Sequence, residues 1–172
     1  MADSETELWR IEARAFRVPL VPFTHNFWAL VDAGGAVVEQ LHGLAVDPRT
    51  GKAKAIGWSA HLLLAVRGAG FLWALQPGQP TAVCARGREA EVMPRWLAAA
   101  AAIPAMNALG LRYPNLWQHG LRANSNSVFS TFGLIMGFDA PARLLPTLAP
   151  GVKLVVSREL VERYRFRPPS TG

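Results

Sequence analysis

The sequence predicts an α+β fold, an antiparallel β-sheet packed with two main helices, and three observations carry that expectation. Trp9 to Val18 alternates apolar and charged residues, as a strand with one wet face does. Two runs rich in aromatic and branched residues, His25 to Val31 and Ala36 to Leu41, flank Asp32-Ala33-Gly34-Gly35, a strong hairpin signal. Further on the period changes: the alanine-rich Glu89 to Leu109, and then Val128, Phe132, Ile135 and Met136, recur at helical spacing. Strands first and helices later is the order of an α+β layout.

Each element has its own signal. Pro19 and Pro22 end the first strand. Counting back from a two- or four-residue loop sets Val31 opposite Ala36, Ala29 opposite Val38 and His25 opposite His42. A three-residue loop would set His25 opposite Gly43 instead. Gly43 to Ala55 is polar, with a turn at Asp47-Pro48-Arg49-Thr50-Gly51, and reads as a loop or flap. His61 to Val66, Gly70 to Leu75 and Thr81 to Arg86 are strand candidates. Glu89 to Leu109 is a helix with Pro94 near its first turn, a kink at Pro104 and a stop at Gly110. Leu111 to Leu121 is an irregular approach to the next helix. Arg122-Ala123-Asn124-Ser125-Asn126-Ser127-Val128-Phe129 then opens that helix with residues that accept bonds from first-turn N–H groups, and Gly137 closes it. A Pro-rich connector leads to a strand over Val152 to Val156 and a helix or strand over Arg158 to Phe166. Residues 1–167 form one domain, and 168–172 a frayed tail.

Composition narrows the function. The chain has 172 residues, 51% hydrophobic, with six Trp and a formal charge of +6. That is enough for a buried core and is not a disordered composition. The basic residues are scattered, so a solvated basic surface with weak affinity for anionic surfaces is expected, rather than a specific nucleic-acid site. Arg163-Tyr164-Arg165-Phe166-Arg167 reads as an alternating edge or tail. The single cysteine, Cys84, excludes an internal disulfide and a Cys-rich metal site, and its apolar neighbours mark it as a buried small hydrophobe. His25, His42 and a third His could make a zinc set. No His-x-x-x-His or Cys-x-x-Cys spacing supports one, and neither a metal nor a cofactor is expected. Gly68-Ala69-Gly70 lacks the third glycine of a dinucleotide loop. The acidic, polar start is not a secretory signal, and Trp96 to Met106 is too short to span a bilayer. A cytoplasmic protein is expected, with export, if any, by a dedicated secretion system.

A hydroxyl at a helix N-terminus sits at the positive end of the helix dipole, where a nucleophile can be activated or an oxyanion held. The plain alternative is that Ser125 or Ser127 merely caps the helix. The order of a His at a strand start, a hairpin, and much later a small nucleophilic residue opening a helix resembles the circularly permuted papain-like families. These are relatives of the NlpC-type peptidases that include the lecithin:retinol acyltransferase group. Asn124-Ser125-Asn126-Ser127-Val128-Phe129 stands where those families have an Asn-Cys-x-x-Phe-like string, and the resemblance covers roughly Pro22 to Phe138. Ser125 occupies the expected Cys position, so either a Ser–His site operates on this frame or catalysis has been lost.

The resemblance implies Ser125 as nucleophile, with Ser127 as fallback, and His25 as general base. His42 is the candidate orienter of His25, and Glu39 its rival if the hairpin slips or bulges. His119, close to Ser125 in sequence, is a second candidate base. Asn124 and Asn126 are candidate oxyanion donors, with turn chemistry as the competing role. His61 reads as a strand residue. The implied function is hydrolysis or acyl transfer at an amide or ester of a cell-wall peptide or lipid, in a setting compatible with a bacterial effector. The alternative is a catalytically inactive binding or adaptor module on the same frame.

Overall fold

A computed structural model describes residues 8–69 and 78–168. The strand expected over Gly70 to Leu75 and nearly all of the tail fall outside the described residues. The fold is α+β. Strands β1 (Trp9–Arg17), β2 (Thr24–Val31), β3 (Val37–Val46), β4 (Ala53–Lys54), β5 (Leu62–Gly68) and β6 (Thr81–Gly87) precede helices α1 (Glu89–Ala101), α2 (Ile103–Ala108), α3 (Ser125–Ile135) and α4 (Arg158–Tyr164). The pairings between these strands are antiparallel, in the order β4-β3-β2-β1-β6, with β5 also on β3. Ala45 and Val46 pair with both β4 and β5, and Leu41 with both β2 and β5. So β2 and β4 lie along one side of β3, end to end, and β5 along the other.

The core lies between one sheet face and the helices. Ile11, Ala13, Trp28, Leu30 and Leu41 meet Val92 and Trp96 of α1 and Val128, Phe129 and Phe132 of α3, all of them buried. The Trp28 ring stacks on Phe129 at 4.6 Å, and its Nε1–H donates to the Phe129 carbonyl at 2.8 Å. Pro104 divides the long helix expected over 89–109. It has no N–H to offer the preceding turn, so the chain resets at Ala102 and Pro104 falls in the first turn of α2, where that N–H is not needed. Among the described residues no helix is long and apolar enough to cross a membrane.

Three expectations are corrected. The hairpin loop spans residues 32–36, Val38 is an extra residue in a bulge, and the register becomes Val31 to Val37, Ala29 to Gln40 and Trp28 to Leu41. Asp32 causes this: its Oδ1 accepts from Ala36 N at 2.8 Å and closes the wider loop. The start of the expected loop over 43–55 is strand, because Gly43, Leu44, Ala45 and Val46 pair with β5. The turn after Asp47 then leads into β4. Val152 to Val156 is not a strand. Hydroxyls of α3 take its backbone groups in place of a ladder: Ser127 donates to Gly151 O, Ser130 to Val152 O, and Thr131 accepts from Val156 N. Arg158 to Tyr164 is helical, capped by Ser157.

Candidate active site

Past the Trp28–Leu41 pair the β2–β3 ladder stops, and the side of β3 that β2 leaves is taken further on by β4. A narrow cleft of about 70 Å³ occupies the gap. His25, Gly43, Ala45, Lys54, Gly57, Tyr113, His119 and Ser125 line it, with an apolar wall that includes Val18, Val21, Phe23, Leu44, Ile56 and Leu116. Among the described residues no carboxylate lines it.

The N-terminus of α3 reaches the cleft because Gly43 admits it. A Cβ on Gly43 would lie 2.6 Å from Val128 Cβ and 2.8 Å from Ser125 O. Asn124, not a serine, is the N-cap. Its Oδ1 accepts from Asn126 N at 2.9 Å and Ser127 N at 3.3 Å, and Ser127 Oγ accepts from Asn124 N at 3.1 Å. Ser125 is the first helical residue, and its hydroxyl is released from capping. It is 7% exposed, and its Oγ lies 3.0 Å from Tyr113 Oη. The Ser125 N–H, at the positive end of α3, is directed at the Tyr113 hydroxyl.

Strand alternation sorts the other groups. Trp28 faces α3, so His25 and Phe27 project to the opposite face of β2; Gln40 and His42 share that face on β3, while Glu39 and Leu41 turn to the helices. His25 Nε2 and His42 Nδ1 are 3.0 Å apart, and His42 Nε2 is 2.7 Å from Gln40 Oε1. The imidazole rings of His25 and His42 stack, and Phe27 lies over His42 at 4.8 Å. With Gln40 Oε1 as acceptor, His42 carries its proton on Nε2, His25 donates from Nε2, and Nδ1 becomes the basic nitrogen of His25. Burial lowers His25 to about 4; burial, and then the neighbouring His25, lower His42 further. Both rings are therefore neutral at neutral pH.

Glu39 is excluded from this relay. The bulge that could have turned it toward His25 is present, but its carboxylate accepts from Trp96 Nε1 and from Arg67 Nε at 2.9 Å. Asn124 and Asn126 are likewise spent on structure. Asn124 Nδ2 donates to Pro150 O, Asn126 Nδ2 donates to Thr24 O and Pro150 O, and Asn126 Oδ1 accepts from Asn26 N. Neither amide is left to hold an oxyanion. His119 stands edge-on to Tyr113 at 5.6 Å; its ring bonds to the Pro114 backbone, and its Nε2 is buried with no partner among the described residues. Burial lowers its pKa too. His61 instead accepts from Trp58 N and stacks on Trp58. Ser127 is buried in its cap, and Cys84 is half-buried in β6 with its thiol pushed up by burial.

Two site residues escaped the sequence reading. Gln40 was findable, since it lies two positions from His42 on one strand and must share its face. Tyr113 carried no local signal. It arrives because the irregular stretch docks on β5, with Tyr113 N donating to His61 O and an isolated bridge joining Leu62 to Arg112. Burial raises the Tyr113 pKa, so its phenol stays protonated and available as a donor. Among the described residues no three His, Cys, Asp or Glu side chains are grouped to hold a metal. A scan against protein-family models, a search of curated proteins and a search of solved structures each found no match to this chain.

Proposed function

We propose that the cleft is the active site of a serine hydrolase or acyltransferase acting on an ester or amide. The observation that carries this reading is the release of Ser125 Oγ from capping, at a helix N-terminus, into a cleft shared with a buried imidazole relay. Ser125 Oγ attacks the acyl carbonyl as its proton passes to the imidazole of His25, which lines the same cleft. His42 and Gln40 fix the His25 tautomer and orientation. The oxyanion forms beside the Ser125 N–H and the Tyr113 O–H, and each such donor is worth on the order of 10²–10³ in rate. His25 then gives its proton to the departing alcohol or amine, leaving an acyl-Ser125 ester. Water, or a second hydroxyl or amine, attacks that ester, its proton returns through His25, and Ser125 is regenerated.

The Tyr113–Ser125 hydrogen bond favours a second reading, a non-catalytic pocket that binds apolar ligands. The deciding experiment is labelling with a fluorophosphonate, followed by peptide mass mapping and turnover of short and long p-nitrophenyl esters. The expected result is a covalent adduct at Ser125, absent in Ser125→Ala and greatly slowed in His25→Asn. Turnover that survives Ser125→Ala would overturn the assignment. Loss of turnover in His119→Asn but not in His25→Asn would transfer the base role to His119. Apolar esters that bind without labelling or turnover would leave the second reading standing.

A further inference from the structure

We infer that the mouth of the cleft is a docking face for an anionic lipid surface. Four segments surround it, and each is tied to the cleft by residues that line the wall. Pro19 and Val21 flank Leu20; Ile56 and Gly57 precede Trp58; Leu116 and His119 bracket Trp117, with Leu121 N bonded back to Gln118 O; and Leu148 O accepts from Thr24 N, two residues before Pro150. Ser59 N donates to Asn115 Oδ1, which joins the second and third segments.

Apolar side chains stand outward on all four. Leu20 is 100% exposed, Leu121 81%, Trp117 78%, Leu148 59% and Trp58 56%. Leu20 is the most telling of them. Its φ of 68° is a left-handed conformation that a bulky side chain resists, and full exposure gives folding nothing in return. A residue costly to the backbone and useless to the core is best explained by a partner outside the fold.

Charge identifies the partner. Residues 17–23, 52–59, 111–122 and 147–150 carry Arg17, Lys52, Lys54, Arg112 and Arg122 and not one carboxylate, whereas the whole chain has 12 acidic residues against 18 basic ones. Of the five cations, Lys54 also pairs with Asp47 at 3.7 Å. Leucine and tryptophan tips on separate loops, interspersed with cations, match a deformable interface: the tips enter among the acyl chains and the cations meet anionic headgroups. A protein partner would call for a continuous complementary surface, and these are separate projections around an opening. The inference is independent of the chemistry at Ser125.

The test is co-sedimentation of the full chain with vesicles of phosphatidylcholine, with and without phosphatidylglycerol. The comparison is a Leu20→Ser/Trp117→Ser/Leu121→Ser variant, with Leu97→Ser/Leu109→Ser as a control at exposed apolar sites on α1 and just beyond α2. Circular dichroism melts confirm that each variant is folded. We expect binding to the phosphatidylglycerol vesicles, weakened by added salt and by omission of phosphatidylglycerol, and lowered by about tenfold or more in the mouth variant. The control and Ser125→Ala should bind like the unaltered chain, so failure of the hydrolase reading would not touch this one. Absence of binding to phosphatidylglycerol vesicles, or equal loss in mouth and control variants, would overturn it.

Discussion

Near its turn, the β2–β3 hairpin pairs Trp28 to Val31 with Val37 to Leu41 and seats Trp28, Leu30 and Leu41 against the helices. Past Trp28 the same two strands part, and the residues that follow are Phe27, Asn26 and His25 on one strand and His42 and Gly43 on the other. At the paired end the ladder satisfies the backbone and apolar burial supplies the stability. At the parted end Asn126 takes over the ladder's role, accepting from Asn26 N and donating to Thr24 O, and buried imidazoles stand where leucines would be more stable. One end is built to hold; the other gives up packing to keep a cleft open. Mutations at the two ends should therefore separate stability from activity.

The largest effect belongs to the parted end. Ser125→Ala should lower ester turnover by at least about 10⁴-fold, since a nucleophile has no substitute. Its urea midpoint should barely move, because Asn124 carries the cap. Trp28→Ala is the opposite case. It empties a fully buried site beside Phe129 and leaves the Phe129 carbonyl without its indole donor, so about 3–5 kcal/mol of stability should go. Equilibrium unfolding checks both, and a similar stability loss in the two variants would erase the distinction between the ends.

Acid separates the ends in another way. His25 is lowered to about 4 in the fold against about 6.5 in an unfolded chain, so the unfolded state takes up the proton first. Its stabilising contribution is whole above pH 6.5 and falls as pH drops toward 4, by about 3 kcal/mol at 1.36 kcal/mol per unit. His42 adds in the same direction. Urea midpoints at pH 7.5 and 4.5 should differ less in His25→Gln than in the unaltered chain, because the carboxylate contributions are common to both. An equal difference would mean that His25 is not held neutral in the fold.

The paired end was the more legible in sequence. Alternation in β1 and the aromatic and branched content of β2 marked both as strands. The face of β1 read as wet is not, however: Glu12 and Arg14 are buried on it as an ion pair at 2.6 Å. The register was not legible, since the side-chain bond from Asp32 to Ala36 N decides the loop and no pattern weighs one such bond. The assignment of 152–156 failed for a related reason. Its branched residues suit a strand, but the hydroxyls that bond its backbone come from α3, more than twenty residues away. At the site, the order His–hairpin–helix start brought His25, His42 and Ser125 into view. Tyr113 depends on a docked coil and left no trace, and the amides of Asn124 and Asn126 looked free only because their partners at Pro150 and Thr24 are distant or irregular.

Gly43 sits where the two ends meet, and it supports a smaller prediction. Its missing Cβ would press on Val128 Cβ and the Ser125 carbonyl, neither of them the free end of a flexible chain. Gly43→Ala should therefore cost about 1–3 kcal/mol of stability and push the first turn of α3 away from the sheet. Since that turn carries Ser125, turnover per folded molecule at saturating substrate should also fall, by about tenfold or more. A loss of stability with unchanged turnover would show that the position of Ser125 does not depend on this contact.

The smallest effect tests whether one residue of register separates a structural carboxylate from the relay. Glu39 and Gln40 are neighbours, but Glu39 turns to Trp96 and Arg67 on the helix side while Gln40 turns to His42. Glu39→Gln keeps an oxygen for the Trp96 indole and removes only the charge facing Arg67, whose side chain is 45% exposed, so stability should change by about 1 kcal/mol or less. Turnover and its pH profile should stay as they are. Gln40→Leu, nearly isosteric, should leave His42 Nε2 without its acceptor and free the His25–His42 pair to reverse its tautomers. Turnover should then fall while the fold survives. If Glu39→Gln moved the pH profile and Gln40→Leu did not, the relay would have to be redrawn through the carboxylate, and strand alternation could no longer be what assigns residues to the cleft.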